Sequence, residues 1–414
     1  MRSFREIKDT VLTGLGKKPC DLKLENVRLV NVCSREIYAT DIYIRKGRII
    51  SICPDAGLHA KRVIPCGGKY ALPGFIDTHM HFETTMLSPE ALASVVVPKG
   101  TTTLCADLME IANVSGEAGI KAMLDAMDAL PYRMLVEVSS RVPTAPGLET
   151  TGATLGKKEV RHILDWPESI SLGELDPSKI LYVKDEYLHK IADTLKRRKI
   201  VNGHAIGRMG QELNVYASSG ISDDHECVDA KEMIARLQLG MRVLIREGST
   251  ERNADALLRA VIEHDLPLDG LCFCTDDKHP TEIRAEGHIN YIVRRAIELG
   301  MAPIDAIRIA TINAARHIRM DDEIGSITPG RCADILLMDD LTKMEPDMVL
   351  YEGNLVAQDG VLLSDCNVRQ YPSWILDTVH LKKTITKDSF AVPMIHPGET
   401  NRITVIEMID RQII

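Results

Sequence analysis

The 414-residue sequence has no apolar run of 18 residues, so it lacks the segment that a membrane-spanning helix needs. Its N-terminal stretch has no apolar core of the signal-peptide type. Its ten cysteines form no CxxC pair, which is typical of free thiols in a reducing compartment. The net charge of −9 leaves no basic excess for binding nucleic acid. These absences predict a cytoplasmic protein with neither a membrane nor a nucleic-acid partner.

What the sequence does contain is a repeated alternation of elements. From Pro73 onward, apolar β-rich runs alternate with helical segments, some with start signals at Ser88, Ser115 and Thr250. The runs end at steps of roughly 20 to 35 residues, the size of a βα unit. These ends lie near His79, Asp107, Ser139, Gly173, Gly203, Ser222, Glu247 and Thr275. Eight such units, with no GxGxxG loop after the first strand, predict a (β/α)₈ TIM-type barrel.

Shorter strands and turns flank the predicted barrel on both sides. We expect three regions of an α/β protein: 1–72 with an N-terminal helix and the first part of a small β-sandwich domain, 73–320 with the barrel, and 321–414 with the second part of the sandwich. The segment 384–414 reads as further strands and stops in an apolar stretch. That ending predicts a longer form of the chain, with 321–414 also holding the start of a C-terminal region.

The predicted strand ends carry residues of the metal-binding types. Barrel enzymes place their chemistry at the carboxyl ends of the strands. Four histidines and two acids lie there: His79, His81, Glu174, His204, His225 and Asp276. Each alone has a plain structural explanation, and Asp276 alone would suit a helix N-cap. Found together at five of eight strand ends, they predict a metal site, with the imidazoles of the HxH pair on one strand face.

This donor set indicates a reaction class. It suffices for two divalent cations, with one acid bridging them and the other ligating one while accepting a proton. Such ions lower the pKa of bound water, so that hydroxide is available near neutral pH. No P-loop is present to favour phosphoryl transfer. We therefore expect hydrolysis at an electrophilic carbon, either an amide or an amino-substituted ring carbon.

Several motifs resemble a known family. "PGFIDTHMH", "TINAARHI" and "IGSITPGRCADILLMD" resemble the amidohydrolase superfamily of metal-dependent barrel hydrolases. "HFETTMLSPE", "SSRVPTAPGLETTGA", "LGELD" and "CTDDKHP" are similar to its adenine deaminase branch. The resemblance covers nearly the whole chain. It implies hydrolytic deamination of adenine, or of a related aminopurine, to hypoxanthine and ammonia as a step of purine metabolism.

The resemblance also implies roles for individual residues. His79, His81, His204, His225 and Asp276 match the metal ligands, and Glu174 stands where many relatives carry a bridging carboxylated lysine. Mn²⁺ or Fe²⁺ is favoured by the resemblance, with Zn²⁺ also suited to these ligands. Asp276 would shuttle the proton to departing ammonia.

Three further residues have both a functional and a structural explanation. Glu83 and Glu110 either contact the substrate ring and protonate a ring nitrogen, or serve as helix N-terminal acids and salt-bridge partners. Arg246 either lines the substrate pocket or forms a shielded ion pair. A departure lies beside Glu110, because this chain has Leu108-Met109 where the branch usually has Pro-His. That change removes a donor, an acceptor or a further ligand, and leaves the particular aminopurine open.

Two other functions stay open at this point. One is a cyclic amide or ureide hydrolase of the same superfamily, which the absence of a lysine at the Glu174 strand end disfavours. The other is a catalytically silent barrel kept for assembly, which the complete ligand set disfavours. For the enzyme, we expect a small-molecule substrate and a homo-oligomer.

Overall fold

The computed structural model describes residues 2–363, 365–393, 398, 400 and 402–407. The mixed α/β class is confirmed, with strands at both chain ends and strand–helix alternation between them. The helices are α1 Phe4–Gly14, α2 Pro89–Val96, α3 Met109–Ala126, α4 Lys157–Ile163, α5 Pro177–Leu181, α6 Asp185–Lys196, α7 Gly210–Ser218, α8 Ala230–Gln238, α9 Ala254–Glu263, α10 Pro280–Ala285, α11 Ile289–Glu298, α12 Pro303–Arg308, α13 Ala314–His317 and α14 Ser373–Leu376.

Strands from both chain ends join in one sheet of nine strands. The N-terminal strands are β1 Cys20–Asn31, β2 Glu36–Arg45, β3 Arg48–Ser51, β4 Ala60–Pro65 and β5 Tyr70–Pro73. The C-terminal strands are β14 Ile335–Met338, β15 Met348–Tyr351, β16 Asn354–Gln358 and β17 Val361–Leu362. Antiparallel pairing of β5 with β14 joins the two sets, and side chains such as Leu24, Leu29 and Leu350 form a buried core on this sheet.

Eight parallel strands lie between these two sets. They are β6 Phe75–His81, β7 Thr101–Asp107, β8 Arg133–Val138, β9 Ser169–Leu175, β10 Ile200–Gly203, β11 Asp223–Asp224, β12 Arg242–Arg246 and β13 Leu271–Cys274. The ladder runs in chain order from β6 to β10 and again from β11 to β13. The observed strands end within two residues of the positions predicted from the sequence.

Two seams separate the five-stranded and three-stranded parallel sheets. At the first seam, the N–H of Asp276 donates to the carbonyl of His79 and the N–H of His81 donates to the carbonyl of Asp276. At the second seam, the N–H of Ser222 donates to the carbonyl of Val201, between β10 and β11. Both seams therefore lie beside predicted metal ligands.

The helix starts agree with the sequence only in part. Ser88 caps α2 as predicted, accepting from the N–H of Ala91, with proline at the first turn. The start predicted at Ser115 lies next to an observed one: the backbone is non-helical at Gly116, and the second part of α3 begins after this break. The predicted start at Thr250 is wrong, because residues 247–252 form a turn closed by a bridge between Glu247 and Arg252, and α9 begins later.

The C-terminal segment differs from its prediction. The described residues of 384–407 contain no strand, and their regular structure is limited to a 3₁₀ helix over Lys387–Phe390. The rest of the predicted strands fall outside the described residues. Upstream, Arg369 and Tyr371 contact the carboxylate of Glu90, which fastens this segment to α2. Among the residues placed by the structure, no helix is long and apolar enough to cross a membrane.

Candidate metal centre

Two histidines of β6 and two acids, Glu174 and Asp276, form the first ligand group. His79 and His81 point to one strand face, and their Nε2 atoms both lie 3.1 Å from Oε1 of Glu174. Oδ1 of Asp276 lies 3.5 Å from Nε2 of His79 and 3.7 Å from that of His81. All four side chains are buried, and their candidate ligand atoms lie within 4.8 Å of one another. The four residues converge as the sequence predicted.

The second ligand group contains Glu174, His204 and His225. Oε1 of Glu174 lies 3.3 Å from Nε2 of His225, and Oε2 lies 3.6 Å from Nδ1 of His204. The three residues follow or end β9, β10 and β11, so they approach from adjacent strands. Glu174 therefore belongs to both groups, and its carboxylate lies between them.

The chemistry of this cluster fits divalent cations. Among the described residues, neither ring nitrogen of the fully buried His225 makes a hydrogen bond, nor does Nδ1 of His204. Nε2 of His225 and Nδ1 of His204 lie 3.1–3.6 Å from carboxylate oxygens without hydrogen-bond geometry. Buried polar groups are otherwise almost always paired. Neutral imidazoles and carboxylates are ligands that Mn²⁺, Fe²⁺ and Zn²⁺ accept. The unpaired ring nitrogens and the shared Glu174 therefore suit two ions side by side.

Asp276 has an uncommon backbone conformation. Its φ of +54° lies in the left-handed region, which non-glycine residues seldom adopt. The two backbone hydrogen bonds to β6 hold it there. These bonds place Asp276, which follows the eighth parallel strand, beside His79 and His81 of the first parallel strand.

Sequence reasoning missed two acids of the centre. Oε2 of Glu137, in β8, lies 2.5 Å from Nδ1 of His79. Oε1 of Glu226 lies 3.2 Å from Nδ1 of His204 and 3.1 Å from Nε2 of His225. Glu137 contacts the second nitrogen of His79, where a carboxylate orients the ring for metal binding. Glu226 instead faces the same nitrogens of His204 and His225 that face Glu174, and it forms a further candidate ligand group with His225 and Asp276. The available signals were an acid inside the apolar run "MLVEV" and an acid directly after His225.

These carboxylates change the protonation of His79. Burial alone would lower the pKa of His79, but the carboxylates of Glu137 and Asp276 raise it well above its usual value. Without another cation, the protein stabilises a proton at this position. A divalent cation supplies the same compensating charge, which is a second reason that the cluster suits one.

Two arginines complete the buried charge network. Nη1 of Arg246 lies 2.9 Å from both Oε1 of Glu226 and Oδ2 of Asp276, and the side chain is fully buried. Of its two explanations, the structure places Arg246 in a shielded ion pair. Arg141, which sequence reasoning also missed, donates to Glu174 from the loop after β8. Arg246 thus fixes the outer oxygen of Asp276, while Oδ1 faces the histidines.

Glu83 and Glu110 lie beside the first ligand group. Glu83, in a 3₁₀ helix directly after β6, accepts from the N–H of Ile111 at 2.8 Å through Oε1. Its Oε2 is buried without a hydrogen-bond partner. Oε2 of Glu110, in the first turn of α3, lies 3.7 Å from Nδ1 of His81. Both acids also contact the start of α3, so the structural explanation holds as well.

The two acids have opposite pKa shifts. Burial, followed by the nearby charge of Glu110, raises the pKa of Glu83 to about 8. Burial works against the charge of Glu110 too, but its contact with His81 lowers the pKa of Glu110 overall. The pair therefore consists of one acid that keeps its proton at neutral pH and one that does not.

The position of the family's usual histidine is occupied by Met109. Its thioether sulfur lies 3.6 Å from Oγ1 of Thr144, in the loop after β8. The side chain thus contacts a neighbouring loop, and no hydrogen-bond donor comes from this position.

An apolar cavity opens beside Glu83. Its volume of about 450 Å³ is within the usual range for small-molecule sites. Phe82, Ile111 and Met123 line it from the parallel-strand region, and Val368 and Tyr371 line it from the C-terminal segment. Glu83 brings a carboxyl group to this lining, two residues after the ligand His81 in the sequence.

Comparison with known proteins identifies the family. The amidohydrolase family profile matches residues 70–356. An adenosine deaminase from Xanthomonas campestris with bound zinc has a similar fold, with a TM-score of 0.58 and 14% identity over 84% of this chain and 95% of that one. The chain belongs to the amidohydrolase family.

Within this family, the similar curated proteins are adenine deaminases. The chain is 50% identical over 399 residues to the adenine deaminase of Desulforamulus reducens, covering 96% of this chain and 68% of the relative. It is 38% identical over 404 residues to that of Clostridium botulinum strain 657, with 96% and 67% covered. The resemblance seen in the motifs is confirmed. Family membership and the buried cluster together support a divalent metal here.

Proposed function

We propose that the chain is a hydrolase of carbon–nitrogen bonds that deaminates adenine to hypoxanthine and ammonia. One observation carries the proposal: two buried ligand groups meet at the carboxylate of Glu174. The 50% identity to an adenine deaminase over 399 residues supports adenine as the substrate. Glu174 at this strand end argues against the cyclic amide hydrolases, and the complete ligand set argues against a silent barrel.

We assign the metal ligands as follows. His79, His81 and Asp276 would hold one ion, His204 and His225 would hold the other, and Glu174 would bridge them. Bound ions of this kind lower the pKa of water, so that hydroxide is available near neutral pH. We propose Mn²⁺ or Fe²⁺, two per site, with Zn²⁺ as the alternative.

Asp276 moves the proton from the attacking water to the leaving group. Because Arg246 holds its Oδ2 at 2.9 Å, Oδ1 stays turned toward the ligands and the substrate. It accepts a proton as the water oxygen bonds to the ring carbon that bears the amine. It then returns that proton to the amine, the carbon–nitrogen bond breaks, and ammonia leaves. The new hydroxyl group becomes the ring carbonyl, and its proton restores the acid that protonated the ring nitrogen.

Glu83 and Glu110 act on the ring nitrogen next to that carbon. Glu83 has a buried, unpaired Oε2 at the cavity, so a protonated Glu83 can donate to the ring as the carbon–oxygen bond forms. Glu110, in contact with His81, is the alternative donor and would also position the ring. Arg246 donates to Oδ2 of Asp276, so we propose that it positions this carboxylate and does not contact the substrate directly.

The remaining expectations are proposals of the same kind. The backbone bonds across the first seam, and the single bond at the second, support a closed (β/α)₈ barrel over 73–320. The sheet shared by both chain ends supports the flanking domain, a β-sandwich formed by 1–72 and 321–414. All ten cysteines are free, which supports a location in the reducing cytoplasm. Deamination of adenine would place the chain in purine metabolism. A homo-oligomer is also proposed.

The test is ammonia release by the purified chain with added Mn²⁺. Adenine, other aminopurines, pterins and cyclic ureides would be compared at equal concentration, with bound metal counted in the same samples. We expect the highest turnover with adenine and two ions per chain. Release from a different aminopurine alone would reassign the substrate and point to Met109. Ring opening of a ureide without ammonia release from any aminopurine would overturn the proposal.

A further inference from the structure

Three consecutive backbone amides at the second seam donate to side chains. These are the N–H groups of Gly203, His204 and Ala205, where β10 ends. Their acceptors are Oδ1 of Asp223 at 3.0 Å, the hydroxyl of Tyr216 at 2.8 Å and Oδ1 of Asp224 at 2.9 Å. Because β11 is only two residues long, side chains replace the backbone ladder at this point. We refer to Asp223, Tyr216 and Asp224 as the seam clamp.

Tyr216 links two metal ligands through their backbones. It is fully buried, and its hydroxyl accepts from the N–H of His204 while donating to the carbonyl of Leu175. Leu175 directly follows Glu174. One hydroxyl group therefore sets the separation of the chain segments that carry Glu174 and His204.

Asp224 links the other pair of ligands. Its Oδ1 accepts from the N–H of Ala205 and, at 3.2 Å, from that of Glu226, so it bonds to the residues that follow His204 and His225. Its Oδ2 pairs with the buried Arg236 at 2.8 Å. Arg236 also donates to the carbonyl of Ala205 at 2.7 Å, so Asp224, Ala205 and Arg236 form one hydrogen-bond network.

Asp223 completes the clamp on the other side of His204. Its Oδ1 accepts from Gly203, while its Oδ2 lies 3.2 Å from Nε2 of the buried His317. A purely stabilising role would need only that buried donors find acceptors somewhere. Here every acceptor bonds at or next to a ligand of the second group. At the first group the N–H groups of His81 and Asp276 bond to backbone carbonyls, and Asp77 adds side-chain bonds to the N–H groups of Thr275 at 3.1 Å and His79 at 3.4 Å.

We propose that the seam clamp positions His204, His225 and Glu174 for the second cation, and so sets the affinity of that cation more strongly than that of the first, with which it shares only Glu174. This inference rests on the two-ion site of the proposed function. Residues that orient metal ligands typically change metal affinity by about 10- to 100-fold. The clamp residues are positioning residues, because they contact the ligand-bearing backbone and not the ion.

The main test is a Mn²⁺ titration of Tyr216→Phe, with free Mn²⁺ counted by its electron paramagnetic resonance signal. We expect the dissociation constant of the second ion to rise about 10- to 100-fold, and that of the first ion, which depends on the clamp only through Glu174, to rise less. Tyr132→Phe is the matched control, because Tyr132 is also buried and its hydroxyl donates to the carbonyl of Pro89, away from the ligands. It should bind both ions unchanged.

A second pair of variants keeps the test decisive if Tyr216→Phe folds poorly by circular dichroism. Asp223→Ala removes the acceptor for Gly203, whereas Asp223→Asn retains a side-chain oxygen at the same position. We expect Asp223→Ala to bind the second ion more weakly, and Asp223→Asn to bind it about as tightly as the unsubstituted chain does. The clamp would be overturned if Tyr216→Phe and Asp223→Ala bound both ions as tightly as the unsubstituted chain does. It would also be overturned if these variants bound both ions more weakly by the same factor. An unsubstituted chain that binds only one ion would overturn the two-ion proposal itself, before any variant is compared.

Discussion

The two seams of the parallel strands are built differently, although each carries one half of the metal centre. At the first seam, backbone N–H and C=O groups of Asp276 bond to His79 and His81. At the second seam, three side chains accept hydrogen bonds from the backbone N–H groups of residues 203–205. Backbone bonds survive most substitutions, whereas side-chain bonds are lost one at a time. Asp77 and Thr78 add side-chain bonds at the first seam, but the N–H groups of His81 and Asp276 bond to backbone carbonyls. The first half of the centre should therefore depend less on single side chains than the second half does.

Of the substitutions that test this difference between the seams, Asp276→Asn at the first seam should have the largest effect, which is on ammonia release. The backbone bonds to β6 remain, and asparagine tolerates the left-handed conformation that residue 276 adopts. The fold should survive, while loss of the proton acceptor lowers ammonia release by about 10²- to 10⁴-fold. The measurement is steady-state ammonia release alongside circular dichroism. Asp269→Asn, at an exposed acid, is the control, and undiminished activity of Asp276→Asn would refute the mechanism.

Glu83→Gln separates ring protonation from metal binding. Glutamine keeps an oxygen for the N–H of Ile111 but holds no transferable acid proton. We expect kcat to fall by about 10²-fold or more, with the metal content unchanged. Kinetics on adenine and metal analysis of the same sample check this. Unchanged kcat would move the role of proton donor to Glu110.

Gly203→Ala breaks the second seam directly. A Cβ atom at this position would lie 2.0 Å from the carbonyl oxygen of Asp223, so the backbone of β10 and β11 must separate. Overpacking of this kind costs about 1–3 kcal/mol in the free energy of unfolding. We expect that loss in urea unfolding, together with weaker binding of one ion. Gly14→Ala, whose Cβ meets only Ile50 at 3.8 Å, should change neither quantity as much.

Asp229→Ala should have the smallest effect, and it separates stability from clamping. Asp229 caps α8 by accepting from the N–H of Glu232 at 2.9 Å, and α8 carries Arg236. Loss of an N-cap costs about 1 kcal/mol. We expect a lower unfolding midpoint in urea with both Mn²⁺ ions still bound. If the second ion were lost here as well, general destabilisation would explain the second seam better than the clamp does.

The parts of this molecule that the sequence predicts are those with a local signal. Strand ends follow from apolar runs, and His79 and His81 share a strand face because of their spacing. Tyr216 carries no such signal, and the acid inside the apolar run at Glu137 does not say what it contacts. The partners of both residues are far away in the chain and meet them only through the parallel packing of strands. The start of α9 was missed for a related reason, because the Glu247–Arg252 bridge overrides the local preference of Thr250.

The pairing of β5 with β14 has a consequence for how the chain folds. Tyr70–Pro73 bonds to Ile335–Met338, on the far side of all eight strand–helix units. During synthesis, the N-terminal strands emerge long before their partners and wait with an unpaired edge. Closing so large a loop is entropically slow, so this sheet should form last and be the step most exposed to aggregation.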